Sequence, residues 1–233
     1  MLAIYYYCDI LSHGDKMKFK YAIFDMDGTL LDTMDYWRNV VIYYAELKGL
    51  PKPNISAEDA VASAHLSTFK KVAFLKERYN DIAVQQIKNE DVFEIMDYCY
   101  QHYTKVKPGV VEMLETLKAN GVKMCVASAT PSHLIKKALS IAGIDQYFDL
   151  IVSPTEYPKC KQDPEIFLGI AKSFGCDVTD IVLFEDALYS IKTASELGVR
   201  IIAVYDKYAE KHTDEIKKLA NEYYNELTEF KFG

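Results

Sequence analysis

The chain has 233 residues, 50% of them hydrophobic and 26% charged, so it can bury a sizeable core and does not read as a disordered tail. At roughly 150 residues per domain, its length falls between one domain and two. Lysine and arginine number 27 against 34 acidic residues, a formal charge of −7. That balance argues against nucleic acid or an anionic membrane held by bulk electrostatics, but leaves room for a small anion met by local positive charge.

In chain order, residues 1–16 come first and end in the breaker-rich Ser-His-Gly-Asp-Lys. We expect them to be a dispensable N-terminal extension from an upstream start codon; the alternative is an extra edge strand over Leu2–Tyr7, where tyrosine favours β-structure. Leu2–Cys8 is apolar but lacks a basic start and is cut short by Asp9, unlike a signal peptide. The first clear signal begins at Met17, with a buried strand expected over Tyr21–Asp25. Nearly a hundred residues without a convincing strand follow, and 34–48, 57–79 and 89–105 read as helices. In the last of these Val92, Met96, Cys99 and Tyr103 share one apolar face. Four further strands are expected over Lys123–Ala127, Leu150–Ser153, Ile181–Phe184 and Ile201–Val204. They alternate with helices over Val110–Ala119, His133–Ala142, Glu165–Phe174 and Tyr189–Leu197. Gly121, Gly143, Gly175 and Gly198 follow these helices, where a left-handed C-cap takes glycine. From Tyr208 the chain reads as a charged helix whose terminal aromatic residues pack on the sheet edge. The pattern predicts an α/β fold: a Rossmann-like, parallel, five-stranded core sheet of 17–31 and 106–233, interrupted by a helical domain at 32–105.

The five cysteines are scattered without a CxxC pair, and no apolar run approaches the roughly 18 residues of a membrane span. Reduced, mostly buried thiols in a cytoplasmic protein are expected, rather than a disulfide framework or a zinc site. The five histidines show no metal-ligand spacing, and His102, His133 and His212 read as ordinary surface or helix residues.

Four groups with chemical potential close successive strands, where open parallel sheets place ligands. Asp25-Met26-Asp27-Gly28-Thr29 puts two carboxylates at one crevice, with a glycine for the turn; the plain alternative is an Asp-rich turn. Ser128-Ala129-Thr130 offers a hydroxyl and free N–H groups as a phosphate cradle, or else an ordinary helix cap by Ser128 or Thr130 ahead of Pro131. Lys161 near a helix start makes electrostatic sense beside an anion, though lysines there are usually solvated. Glu185-Asp186 sets adjacent carboxylates after an apolar run, which suits a hard cation such as Mg²⁺; the alternative is helix capping by Asp186.

Taken together, FDMDGTLLDT, VASAT, KQDPEIF and VLFEDA resemble, in order and spacing, the four motifs of the haloacid dehalogenase (HAD) superfamily, in its β-phosphoglucomutase-like subgroup. The likeness spans Met17 to about Asp206. Gln162 stands where a proline is usual and Ala187 where serine is frequent. The resemblance implies a Mg²⁺-dependent phosphatase acting on a small phosphorylated metabolite, with residues 32–105 as a mobile helical cap. Asp25 would be the nucleophile, forming an aspartyl-phosphate, and Asp27 the acid and base. Asp25, the Asp27 carbonyl and Asp186 would hold the metal. Ser128, the Ala129 N–H and Lys161 would bind phosphoryl oxygens, with Glu185 orienting Lys161 or a metal-bound water.

A sugar-phosphate mutase of the same subgroup is the runner-up. Trp37 stands where such mutases carry a histidine, and Thr68 where they carry an arginine, which favours water as acceptor. A phosphonatase would use a cap lysine, Lys70 or Lys71, as a Schiff base; a non-catalytic phospho-ligand sensor is the remaining possibility. Trp37, Arg38, His65, Ser67 and Lys70 are the candidate specificity residues. A monomer or weak homodimer, with neither nucleic acid nor membrane as partner, is expected.

Overall fold

The computed structural model describes residues 19–63, 66–153 and 160–232. The expected N-terminal extension and His65 lie outside the described residues.

Strand β1 (Tyr21–Phe24) sits mid-sheet, its Ala22, Ile23 and Phe24 closed to solvent. β2 (Lys123–Ala127) and β4 (Ile181–Glu185) pair with it on either side, both parallel, Tyr21 opposite Lys123 and Ile181. β3 (Leu150–Val152) extends the sheet beyond β2, and β5 (Arg200–Val204) beyond β4. Because the chain lays β2 and β3 on one side of β1 and then crosses to lay β4 and β5 on the other, a crevice opens at the carboxyl ends of β1, β2 and β4. The period of two sorts the strand residues between two cores. Phe24, Val126 and Phe184 face one, with the Phe24 and Phe184 rings stacked at 4.5 Å; Ile23, Cys125 and Leu183 face the other.

Among the described residues the sheet has six strands, not the expected five, in the order β3-β2-β1-β4-β5-β6. The charged C-terminal stretch forms a helix only over Thr213–Leu219, then adds β6 (Glu222–Tyr224) parallel to β5. Asn221 seeds the pairing, exchanging hydrogen bonds with the Ile201 backbone at 2.9 and 2.8 Å, and Arg200 meets Glu222 at 2.7 Å. An edge strand of three half-buried residues has no apolar run to betray it. Phe230 and Phe232 then fold back, Phe230 onto Phe184 at 5.6 Å and Phe232 onto Phe19 at 5.1 Å.

Between β1 and β2 the chain is helical. The expected helix at 34–48 is two, α1 (Met34–Arg38) and α2 (Val40–Leu47), broken at Asn39, whose amide turns back to Asp35 at 3.1 Å. The expected 57–79 helix splits into α3 (Ala57–Ala62) and α4 (Thr68–Lys76). A further short helix, α5 (Ile82–Gln86), starts where Asp81 accepts the N–H groups of Ala83 and Val84. α6 (Asp91–Tyr103) buries Val92, Met96 and Cys99 as the spacing predicts, and Ile95 and Tyr100 as well. Its Tyr103 is half-buried.

The ends of this insertion lie side by side. The Asp32 N–H donates to the Lys105 carbonyl at 2.9 Å, and Leu31 bridges to Val106. Gly109, which opens α7 (Val110–Ala119), has φ +81°, and a Cβ there would collide with the Thr228 nitrogen at 2.1 Å. The core is completed by α8 (Ser132–Ile141), α9 (Glu165–Phe174), α10 (Leu188–Glu196) and α11 (Thr213–Leu219). The four glycines expected to end helices all have positive φ. Cys99, Cys125, Cys160 and Cys176 are free thiols, and no described helix is long and apolar enough to cross a membrane.

Candidate active site

Asp25 continues β1 by one residue, its N–H donating to the Phe184 carbonyl at 3.0 Å, so the carboxylate is delivered to the mouth of the sheet. The chain then reverses: Leu30 and Leu31 donate to the Met26 carbonyl, and Gly28 donates to Leu31. Gly28 has φ +101°, and a Cβ there would lie 2.7 Å from an Asp186 carboxylate oxygen, so both conformation and space require glycine.

Asp25, Glu185 and Asp186 bring carboxylate oxygens within 4.8 Å of one another, all three buried. Lys161 reaches them from a 3₁₀ turn at Cys160–Gln162 that opens with a residue in the left-handed region, Cys160 at φ +47°. The lysine is fully buried; its ammonium donates to Asp25 and lies 2.7 Å from Glu185 Oε2. Glu185 Oε1 accepts the N–H groups of Asp186 and Ala187 at 3.1 and 3.0 Å, so Glu185 occupies the start of α10. Asp186 does not cap that helix; its Oδ1 accepts from Thr29 at 2.9 Å.

The electrostatics follow from one ammonium facing three carboxylates away from water. Burial pushes Asp25 well above the usual carboxylate range, the charges of Glu185 and Asp186 adding to it against the pull of Lys161. Burial, with Glu185 and Asp206 beside it, pushes Asp186 up to about 8. Burial alone would neutralise Lys161, but Asp25 and Glu185 hold it protonated, well above an ordinary lysine. An all-oxygen cluster with this excess of negative charge fits a hard divalent cation.

Asp27 sits apart. Its Oδ1 accepts from the hydroxyls of Thr33 (2.6 Å) and Tyr100 (2.7 Å), and its Oδ2 from Thr130 (2.9 Å). These come from the linker into the helical insertion, from α6, and from the loop after β2. Ser128 and Thr130 do not cap α8, whose first turn makes no side-chain cap bond. Instead Ser128 Oγ accepts the Thr130 N–H at 3.2 Å, both residues buried in the floor of the crevice.

A cleft of about 570 Å³ joins these groups. Asp25, Asp27, Ser128, Ala129 and Asp186 line its floor; Trp37, Arg38 and Ser67 line the side built by the insertion. Lys161 and Glu185 stand behind Asp25, closed to solvent. Lys70 is exposed and, like Lys71, is not among the described lining residues, because α4 turns Phe69 toward the cleft instead. His102 and His133 are exposed on helices, whereas His212 lines the cleft beside Lys211, contrary to expectation. Sequence reasoning assigned no role to Thr29, Thr33 or Tyr100, and to Thr130 only the alternative of a helix cap. The three threonines lie inside or beside the quoted motifs and could have been taken from them; Tyr100 carries no local signal.

The haloacid dehalogenase-like hydrolase family model matches residues 22–204. The phosphorylated carbohydrates phosphatase of Thermotoga maritima is 27% identical over 190 residues, 78% of this chain and 82% of that protein. Hexitol phosphatase B of Escherichia coli O157:H7 is 24% identical over 208 residues, 89% and 92% of the two chains. Among solved structures, CbbY from Rhodobacter sphaeroides in complex with phosphate superposes with a TM-score of 0.71 over 91% of this chain and 96% of that one. At 18% identity that likeness is one of fold. With the sheet, the helical cap and four converging strand ends in place, this match over most of its length makes the chain a member of the haloacid dehalogenase-like hydrolase family.

Proposed function

We propose that the protein is a Mg²⁺-dependent phosphatase that hydrolyses a small phosphomonoester through an aspartyl-phosphate on Asp25. The observation that carries this reading is the buried convergence of Asp25, Lys161, Glu185 and Asp186 at the ends of β1 and β4. The carboxylates of Asp25 and Asp186 and the main-chain carbonyl of Asp27 would hold the Mg²⁺, which would offset the negative charge between nucleophile and phosphoryl group.

An Asp25 oxygen attacks phosphorus, the ester P–O bond breaks, and the leaving oxygen takes a proton from the Asp27 carboxyl. Water then attacks phosphorus, giving its proton to Asp27; the Asp25–phosphorus bond breaks and inorganic phosphate leaves. Three hydroxyls on Asp27 fix its orientation through both proton transfers. The Lys161 ammonium, the Ser128 hydroxyl and the Ala129 N–H receive the phosphoryl oxygens as charge builds. Glu185 anchors Lys161 by its Oε2 and the first turn of α10 by its Oε1.

We read residues 17–31 with 106–233 as the catalytic core and 32–105 as the cap, supported by the paired linkers at Asp32–Lys105 and Leu31–Val106. Residues 1–16 are dispensable on this reading: a chain beginning at Met17 retains full activity. The free thiols are consistent with a reducing, cytoplasmic setting. Named phosphatases among the relatives support water as acceptor. The test is hydrolysis of 4-nitrophenyl phosphate with Mg²⁺, expected to vanish on chelation and in Asp25→Asn. Turnover that survives both treatments contradicts the reading.

A further inference from the structure

Phe69, Phe93 and Tyr189 are the exposed aromatic side chains among the described residues, at 40%, 38% and 42%, and all three line the cleft above the acid cluster. The other exposed large hydrophobic residues are aliphatic, and none of them lines it. Phe69 on α4 and Phe93 on α6 meet edge to face, with ring centroids 6.5 Å apart at 72°. With Trp37 on the same side they make a ring-lined wall on the cap, facing Tyr189 on α10. Leaving aromatic faces in water costs free energy, and several gathered at one cleft mark the place where an apolar partner docks.

The polar groups of the cleft point the same way. Reading the hydroxyls of a polyol takes several free acceptors, usually carboxylates or carboxamides. Among the described lining residues the only such groups are Asp25, Asp27 and Asp186, all on the floor and already engaged by Lys161, Thr29 and hydroxyl donors. Two of the hydroxyls along the cleft are already engaged as donors. Thr68 donates to the Trp37 carbonyl at 3.0 Å, and Tyr208 donates to Asp35 at 2.5 Å.

We propose that the leaving group of the physiological phosphomonoester carries a flat aromatic ring, which stacks on Phe69 and Phe93, in place of a polyhydroxylated chain. This rests on the phosphatase reading and adds the substrate class to it. The ring side chains bind sequence-tolerantly through π-faces, so the class is defined by a planar ring one or a few bonds from the phosphate.

The experiment compares kcat/KM for benzyl phosphate, cyclohexylmethyl phosphate and a hexitol 6-phosphate, with acetyl phosphate as a small activated donor. All three test esters expel an alkoxide, so differences report the cleft and not the leaving-group chemistry. Benzyl phosphate is expected to exceed the hexitol ester by about tenfold or more and to exceed its saturated analogue. Phe69→Leu and Phe93→Leu, which keep bulk at exposed positions, are expected to cut the benzyl-to-hexitol ratio by about tenfold. A hexitol ester hydrolysed as well as the benzyl ester, or a ratio unchanged in both variants, overturns the inference while leaving the phosphatase reading intact. No turnover of any ester, acetyl phosphate included, overturns both.

Discussion

Asp25 and Asp27 are two residues apart, yet the regions around them are built differently. Asp25 lies in a buried ionic cluster where one ammonium faces three carboxylates. Asp27 is half-buried and held by three neutral hydroxyls drawn from the linker, α6 and the loop after β2. The first region holds more negative than positive charge and suits an added cation. The second needs no ion, but one of its three supports, Tyr100, belongs to the cap. On the proposed mechanism, phosphoryl transfer would then depend on charge supplied from solution, and proton transfer on where the helical insertion sits.

The largest effect expected from disturbing this contrast is Asp25→Asn, which would remove the proposed nucleophile and lower kcat by about 10⁴-fold, measured as steady-state phosphate release. Next is Asp186→Asn, expected to lower kcat by about 10²-fold and raise the Mg²⁺ concentration for half-maximal rate. It also carries a stability signature. The Asp186 carboxyl lies at about 8 in the folded protein, above the roughly 4 of an unfolded chain, so the folded state binds the extra proton. The share of metal-free stability set by this carboxyl is then fully present below about pH 4 and is lost as pH rises toward 8. In thermal melts at pH 8 without metal, Asp186→Asn should raise Tm by about 5 °C, and saturating Mg²⁺ should do the same for the parent protein. A parent chain whose metal-free Tm is flat between pH 5 and 8 breaks the charge half of the comparison.

Smaller effects sit on the hydroxyl side. Tyr100→Phe removes one donor to Asp27 and is expected to lower kcat about tenfold with KM nearly unchanged, since the hydroxyl acts on the proton carrier. An unchanged kcat would separate Asp27 from the cap. The smallest effect concerns the cap–core clasp at Asp35 on α1. Its burial is outweighed by hydrogen bonds from Tyr208 (2.5 Å), Tyr43 (3.0 Å) and Asn39, which hold the carboxyl below its ordinary value. That contribution is present above the unfolded pKa and lost as pH falls through the folded one. Tyr208→Phe is expected to raise KM about two- to threefold, followed through the single tryptophan, Trp37, which lines the cleft.

The floor of the site was legible in the sequence because parallel strands deliver whatever follows them to one edge. Asp25, Ser128, Lys161 and Glu185-Asp186 could be placed together from five apolar runs and four short motifs. Tyr100 could not. It lies 73 residues from Asp27, on a helix whose three- and four-residue spacing accounts for burial but not for a hydroxyl crossing to the core. The expected apolar face of α6 ran from Cys99 to Tyr103 and passed over it. β6 was missed for a different reason: Glu222-Tyr223-Tyr224 pairs on one side only and is half-buried, so neither alternation nor an apolar run marks it. The breaks in the helical insertion fall at single polar residues: Asp81 takes backbone N–H groups of α5, and Asn39 bonds the Asp35 carboxylate.

The central claim, that Asp25 itself receives the phosphoryl group, is tested most directly by acid-quenching the protein during turnover of acetyl phosphate with Mg²⁺ and mapping the phosphopeptide by mass spectrometry. The account predicts one phosphoryl group on the peptide containing Asp25, localised to that residue and absent from Asp25→Asn. A phosphoryl group on Ser128 or any other side chain, or steady turnover with Asp25 never labelled, would contradict it.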